Sequence, residues 1–205
     1  MDTKVLHKGE IFERVYTNEP SLDIRIIQEA GSRVKIGVLN IRSSAANRIV
    51  VEQQGEGCET EIYALAYLCE NQNVTTETHV THAVGGGISN QLIKFVLDDR
   101  AHGRFIGDLK INPDAQKTEA HQTNRNLVLS EFAEMRTQPQ LEIYADDVKA
   151  THGAGTGQLD ESALFYMQQR GIGKQQARLL LVNAFMREVL DALSLDSVDG
   201  IIKEE

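Results

Sequence analysis

The chain contains no tryptophan, only three prolines and two cysteines among 205 residues, and aromatic residues make up 5% of it. Two cysteines are too few for a disulfide-stapled scaffold, and Cys58 and Cys69 lack the paired short spacings of a zinc site, so reduced thiols are expected. So few aromatic rings leave little to stack against sugars. Positive charge is also in short supply. Twenty-one Lys and Arg against 30 Asp and Glu give a net charge of -9 with no dense basic patch, which argues against a nucleic-acid partner, because phosphate binding needs clustered cations. No run approaches the roughly 18 apolar residues of a membrane span, and residues 1–9 lack the apolar core of a signal peptide. A cytoplasmic protein without a membrane partner is the expectation.

At 22.8 kDa, with 41% hydrophobic and 25% charged residues, the composition suits one medium domain with an appendage. Between about Ser21 and Tyr144 apolar and polar residues alternate, as in Leu22, Ile24 and Ile26 around Asp23 and Arg25, or Val34, Ile36 and Val38 around Lys35 and Gly37. A period of two marks strands with unlike faces. Further strands are predicted around Val50, Ala64, Val80, Phe95, Gly107, Val128 and Glu142, divided by turn clusters such as Gly55-Glu56-Gly57, Gly85-Gly86-Gly87 and Asn112-Pro113-Asp114. Many short, evenly spaced strands fit a sandwich, a barrel or a β-solenoid, and periodicity alone leaves these open.

After Gly157 the pattern changes. Asp160 is placed to cap a helix carrying Leu164, Phe165 and Met167, with Gly171 and Gly173 ending it. From Lys174 to Leu193 there is neither Gly nor Pro, and two apolar stripes run along the predicted helix. One holds Ala177, Leu180, Leu181, Ala184, Phe185 and Val189; the other holds Leu179, Val182, Met186 and Leu190. So much apolar perimeter predicts either packing on two sides or a second stripe offered to another protein.

The residues able to carry chemistry are few. His152 follows a strand-like run and precedes Gly153-Ala154-Gly155-Thr156-Gly157, read as a tight turn. A neutral imidazole there could serve as a metal ligand. The glycines match neither the dinucleotide fingerprint nor a phosphate loop ending in Gly-Lys-Ser/Thr. His79 and His82 are three apart, which on a strand places them on opposite faces and speaks against joint ligation; His102 and His121 are treated in the same way.

Two longer segments carry a resemblance. Residues 139–170 include Asp-Asp-Val-Lys-Ala-Thr-His-Gly-Ala-Gly and then Asp-Glu-Ser-Ala-Leu-Phe-Tyr, and residues 121–126 read His-Gln-Thr-Asn-Arg-Asn before an apolar strand. Both resemble signature motifs of the SufB/SufD family, the scaffold proteins of the SUF iron-sulfur cluster assembly system, with the SufD branch the better match over roughly residues 20 to 195. The resemblance implies a mainly β fold, a right-handed parallel β-helix core at 1–157, with residues 1–20 leading into it, followed by a C-terminal α-helical segment at 158–205. It implies a non-enzymatic scaffold that pairs with SufB through its β-helix and docks the SufC ATPase through its C-terminal helices, with Phe165, Tyr166, Arg170 and Phe185 at that contact. His152 falls on the family's histidine, at which a transient iron-sulfur cluster shared with SufB would assemble; no cofactor is intrinsic to the chain. A homodimer is a further expectation, since an open β-helix end exposes unpaired strand backbone. Gln122, Asn124, Arg125 and Asn126 are expected to bond backbone groups at coil corners.

The family pattern commonly has Cys two residues before the histidine, where this chain has Ala150. That substitution removes a thiolate and keeps a second reading open, a degenerate SufD-like paralogue with fold and partner binding but no cluster role. A third reading, a β-helix polysaccharide-active enzyme, would need a groove of carboxylates and basic residues, for which Asp98, Asp99 and Arg100 are the nearest cluster. Full-length SufD proteins carry an additional N-terminal region, so a truncated relative, a short stand-alone member and a core fragment all fit.

Overall fold

The alternation of apolar and polar residues resolves into two parallel sheets in the computed structural model, which describes residues 1–195. The strands are β1 (Asp2–Leu6), β2 (Ile11–Thr17), β3 (Ser21–Gln28), β4 (Arg33–Ile41), β5 (Ala45–Gln53), β6 (Glu59–Leu68), β7 (Asn73–His82), β8 (Ile88–Leu97), β9 (His102–Ile111), β10 (Glu119–Val128), β11 (Glu134–Ile143) and β12 (Lys149–Gly157). Odd-numbered strands form one six-stranded sheet in the order β1-β3-β5-β7-β9-β11, and even-numbered strands form the other in the order β12-β10-β8-β6-β4-β2. Each strand pairs in parallel with the strand two places along the chain, for example Ile36 with Ile62 and Ile62 with Gln91. Two strands therefore make one coil and successive coils stack, which is a parallel β-solenoid; the antiparallel hairpins of a sandwich are not what this register builds.

The core lies between the sheets. Ile24, Ile26, Ile36, Ile49, Ile62, Ile93, Phe95, Phe105 and Leu109 belong to one buried cluster, each on the inward side of its strand, as the period of two requires. At one corner the chain turns through left-handed backbone at Gly57 (φ 66) and Gly86 (φ 72), where a Cβ would be strained. At the opposite corner non-glycine residues take the same conformation: Asn18, Arg42, Glu70 and Asp99, with φ 53, 48, 55 and 51. Neighbouring coils hold them there, since Arg42 N donates to Tyr67 O at 2.8 Å and Glu70 N donates to Asp99 Oδ2 at 2.9 Å.

Buried glutamines staple the glycine corner. Gln28 Nε2 donates to Ser32 O at 3.0 Å and to Glu59 O at 3.1 Å; one coil further, Gln53 Nε2 donates to Thr60 Oγ1 at 2.8 Å and Ile88 O at 2.9 Å. This is the work expected of Gln122, Asn124, Arg125 and Asn126, which stand elsewhere. Asn124 and Asn126 lie within β10, bond each other at 2.9 and 2.8 Å, and Asn124 also reaches Ile93 O at 3.2 Å; Arg125 is on the outer face beside Glu188 at 3.3 Å.

Two readings of the chain's ends are corrected. Residues 1–20 do more than lead into the core, for β1 and β2 pair with β3 and β4. Gly153–Gly157 is no tight turn: it continues β12, in register from Thr123 with Gly153 to Leu127 with Gly157. Its glycines have open space where a Cβ would be, so extended pairing, not conformational freedom, is what the backbone uses.

Two helices follow, α1 (Glu161–Gln169) and α2 (Lys174–Ala192). Asp160 Oδ1 accepts from Ser162 N at 2.8 Å and Ala163 N at 3.3 Å, and Gly171 (φ 84) ends α1. Of the two stripes expected on α2, parts of each are used. Val182, Met186, Val189 and Leu190 are buried, with Leu193 beyond, on Leu39, Ile41, Leu65, Tyr67, Val96 and Leu127 of the even-numbered sheet's outer face. Leu180 remains 44% exposed. Residues 196–205, the last part of the expected helical segment, lie outside the described residues.

Candidate functional site

His152 sits at the middle of β12, the last strand of its sheet, which pairs on one side with β10 and, among the described residues, with no strand on the other. Its register partner is Gln122, and Gln122 in turn partners Gln91. Gln122 and Gln91 are buried side chains of the inner face, so His152 belongs to that inward row, yet it is exposed because no coil follows among the described residues. The solenoid's open end is therefore where the imidazole becomes accessible. Ala150, two residues earlier on the same face, partners Ala120 and packs against the core cluster; a thiol there would stand one pleat away from the imidazole. On the outer face Thr151 Oγ1 and His121 Nδ1 are 2.8 Å apart.

The other histidines do not join His152. His79 is on the outer face of β7, 2.7 Å from Asp108 Oδ2 through Nδ1, whereas His82 is fully buried with Nε2 2.8 Å from Ser89 Oγ. They are on opposite faces, as their spacing predicted. Burial lowers the His82 pKa from 6.5 to about 4, since the cationic form loses its hydration. Cys58 is buried and within 3.1 Å of Gly55 O. Among the described residues no group of three His, Cys, Asp or Glu side chains is close enough to hold a metal ion.

The four contact residues expected on the helices separate into two places. Phe165 and Tyr166 are 62% and 57% exposed, and the Arg170 guanidinium lies 3.4 Å from the centre of the Tyr166 ring, a cation–π pair on one side of α1. Phe185 is elsewhere: it is half-buried against the solenoid, with Lys94 Nζ 4.5 Å from its ring centroid. Lys94 is the side chain at this helix–solenoid contact that the sequence did not disclose. It is 3% exposed, donates to Phe185 O at 2.7 Å, and pairs with Glu188 at 2.6 Å. That hydrogen bond, more than any other contact, holds the Glu188 carboxyl below its ordinary range.

The cluster Asp98, Asp99 and Arg100 forms a corner of the solenoid. Asp98 accepts from Arg178 of α2 at 2.8 Å and Asp99 from the Glu70 backbone, so both carboxylates are engaged in holding the structure. A groove of about 370 Å³ on the outer face, between Asn73, Thr75, His102, Arg104, Glu134 and Arg136, does not include His152.

The fold is therefore a parallel β-solenoid with His152 at the edge of its last strand and a helical hairpin whose second helix packs on its flank. The sequence comparisons give that architecture its family. Residues 21–185 match the profile described as "SUF system FeS cluster assembly, SufBD core domain", and the chain belongs to this family. It is 38% identical over 182 residues to an iron-sulfur cluster assembly SufBD family protein of Synechocystis sp., an alignment covering 87% of this chain and 40% of that protein. It is 40% identical over 139 residues to the iron-sulfur cluster assembly protein SufD of Escherichia coli, covering 68% and 33%. A SufBD family protein of Mycobacterium leprae is 35% identical over 173 residues, covering 80% and 43%. The chain thus spans less than half the length of these relatives. None of its described helices is long and apolar enough to cross a membrane.

Proposed function

We propose that this chain is a SufD-like, non-enzymatic scaffold component of cytoplasmic iron-sulfur cluster assembly. The observation that carries the reading is the placement of His152 on an unpaired edge strand. The imidazole offers one lone pair, and the described residues bring no second and third ligand to it, so a cluster forming there would take its remaining donors from another chain. An exposed parallel edge is where a second solenoid can add by backbone hydrogen bonding. A SufB-like protein is the partner proposed at this end, with a second copy of the chain taking its place when that protein is absent. The cluster is cargo shared across the contact, not a resident cofactor.

The helical hairpin is proposed to dock a SufC-like ATPase through Phe165, Tyr166 and Arg170, the exposed aromatic and cationic group on α1. Phe185 is assigned to holding α2 on the solenoid instead. Co-purification with SufB-like and SufC-like proteins tests both contacts: Phe165→Asp with Tyr166→Ala should release the ATPase alone, and His152→Ala should leave both contacts intact while lowering cluster yield in anaerobic reconstitution. Retention of full yield by His152→Ala would favour the second reading, which Ala150 supports, of a paralogue that keeps the fold and partners without a cluster role.

A further inference from the structure

Register, burial and hydrogen bonding together single out Gln122. One inward row of the even-numbered sheet runs Ile36, Ile62, Gln91, Gln122, His152 from coil to coil. Its first two members are apolar and its last three polar, so the solenoid interior changes character as it approaches the open end. Gln122 is 1% exposed. Its Nε2 donates to Gln91 Oε1 at 3.5 Å, which leaves two buried amide atoms of the row without a partner: Gln91 Nε2, on the side away from His152, and Gln122 Oε1. The amide cannot relax across the solenoid, because the opposite wall is already close: even a Cβ added to Gly107 would stand 2.6 Å from Nε2.

A buried carbonyl oxygen left without a donor has lost its hydration with nothing in its place. Side chains in one row of adjacent strands stand about 4.8 Å apart, and the next side chain along this row is the His152 imidazole. A neutral imidazole carries one N–H and one lone pair, on different nitrogens. When the N–H is held by an acceptor, the ring is oriented and the lone pair on the other nitrogen is made ready for a metal.

We infer that Gln122 is a positioning residue for His152: its Oε1 accepts one imidazole N–H, fixing the tautomer and turning the other nitrogen's lone pair toward the open end of the solenoid. This rests on the reading of His152 as a donor to an assembling cluster and adds how the ring is prepared before any metal arrives. The same bond gives Gln122 the partner its buried oxygen lacks.

The test uses the full chain with ¹⁵N-labelled histidine, observed by NMR at a pH where His152 is neutral, with His152→Gln identifying its signals. Wild type should show one protonated ring nitrogen and one bare one. Gln122→Met, which keeps length and loses the acceptor, should convert this to an averaged tautomer mixture, and Gln122→Glu should restore the single pattern. Unchanged signals from buried His82 certify that the variants remain folded. A tautomer mixture in wild type, a Gln122→Met spectrum like wild type, or a ring fixed with its lone pair turned toward Gln122 would each overturn the assignment. Reconstitution with SufB-like and SufC-like partners then separates the two ideas: if the tautomer follows Gln122 while cluster yield ignores both residues, the positioning stands and the cluster role of His152 falls.

Discussion

Lys94 and Glu188 meet at 2.6 Å across the contact between β8 and α2, with the lysine side chain 4% exposed and the glutamate 50% exposed. The pair is lopsided. The ammonium cannot reach water and depends on Glu188 and the Phe185 carbonyl, whereas the carboxylate keeps solvent on one side and Arg125 at 3.3 Å. Removing the glutamate should therefore cost more than removing the lysine. Glu188→Ala is expected to destabilise the protein by about 2 kcal/mol, the range for a hydrogen bond to a charged group, and Lys94→Met by less than about 1 kcal/mol. Urea denaturation of both variants checks the order, which reverses if the lysine is only a surface charge.

Acid should weaken the core through His82. Its folded pKa of about 4 lies below the ordinary 6.5, so as pH falls from 6.5 the unfolded chain takes up a proton that the folded chain refuses. Stability is then lost between pH 6.5 and about 4 and levels off below, with a total on the order of 3 kcal/mol from the size of the shift. His82→Gln should flatten that part of a plot of unfolding free energy against pH, and an unchanged slope would remove His82 as the cause.

Gly37 sits on the outer face of β4 beneath the end of α2, where an added Cβ would stand 2.8 Å from both Cδ atoms of Leu193. Gly37→Val suits a strand by propensity, yet should displace the helix end, at a cost of about 1–3 kcal/mol for overpacking. Hydrogen exchange is expected to quicken in the last turns of α2 while the solenoid amides stay protected.

Ala154 shares the inward face of β12 with His152 and is exposed. Ala154→Lys places a charge at the open end, a known means of blocking strand addition. Self-association and SufB-like pairing should both be lost without a fall in melting temperature, as judged by sedimentation velocity and thermal unfolding. Persistence of either assembly would move the pairing surface away from this end.

Strands β3 to β11 were readable from sequence because apolar inward residues alternate with polar outward ones over much of each strand, which writes a period of two into the residues. β12 has no such contrast, since most of its inward side chains are exposed at the open end and the last three of its outward positions are Gly153, Gly155 and Gly157; this is why it reads as a turn. The opening strands β1 and β2 are hidden for the same reason. Periodicity could not decide between sandwich and solenoid, because register is a relation between distant residues, and the family motifs supplied what alternation lacks. His152 was found through its motif. Lys94 escaped because nothing local distinguishes a lysine under a helix from one facing water, and Phe185 was assigned to a partner surface because a helical stripe does not state which neighbour covers it.

The patch beneath α2 draws on β4, β6, β8 and β10 through Leu39, Ile41, Leu65, Tyr67, Val96 and Leu127. The helix thus spans four successive coils at about 4.8 Å each, and it acts as a gauge of coil number. Insertion of one whole coil between β10 and β12 would preserve every local rule of the solenoid, yet it would shift His152 relative to Phe165 and Tyr166 by one rung. Length variation in this fold is accordingly quantised, and the distance between its two proposed contact surfaces can change only in whole coils.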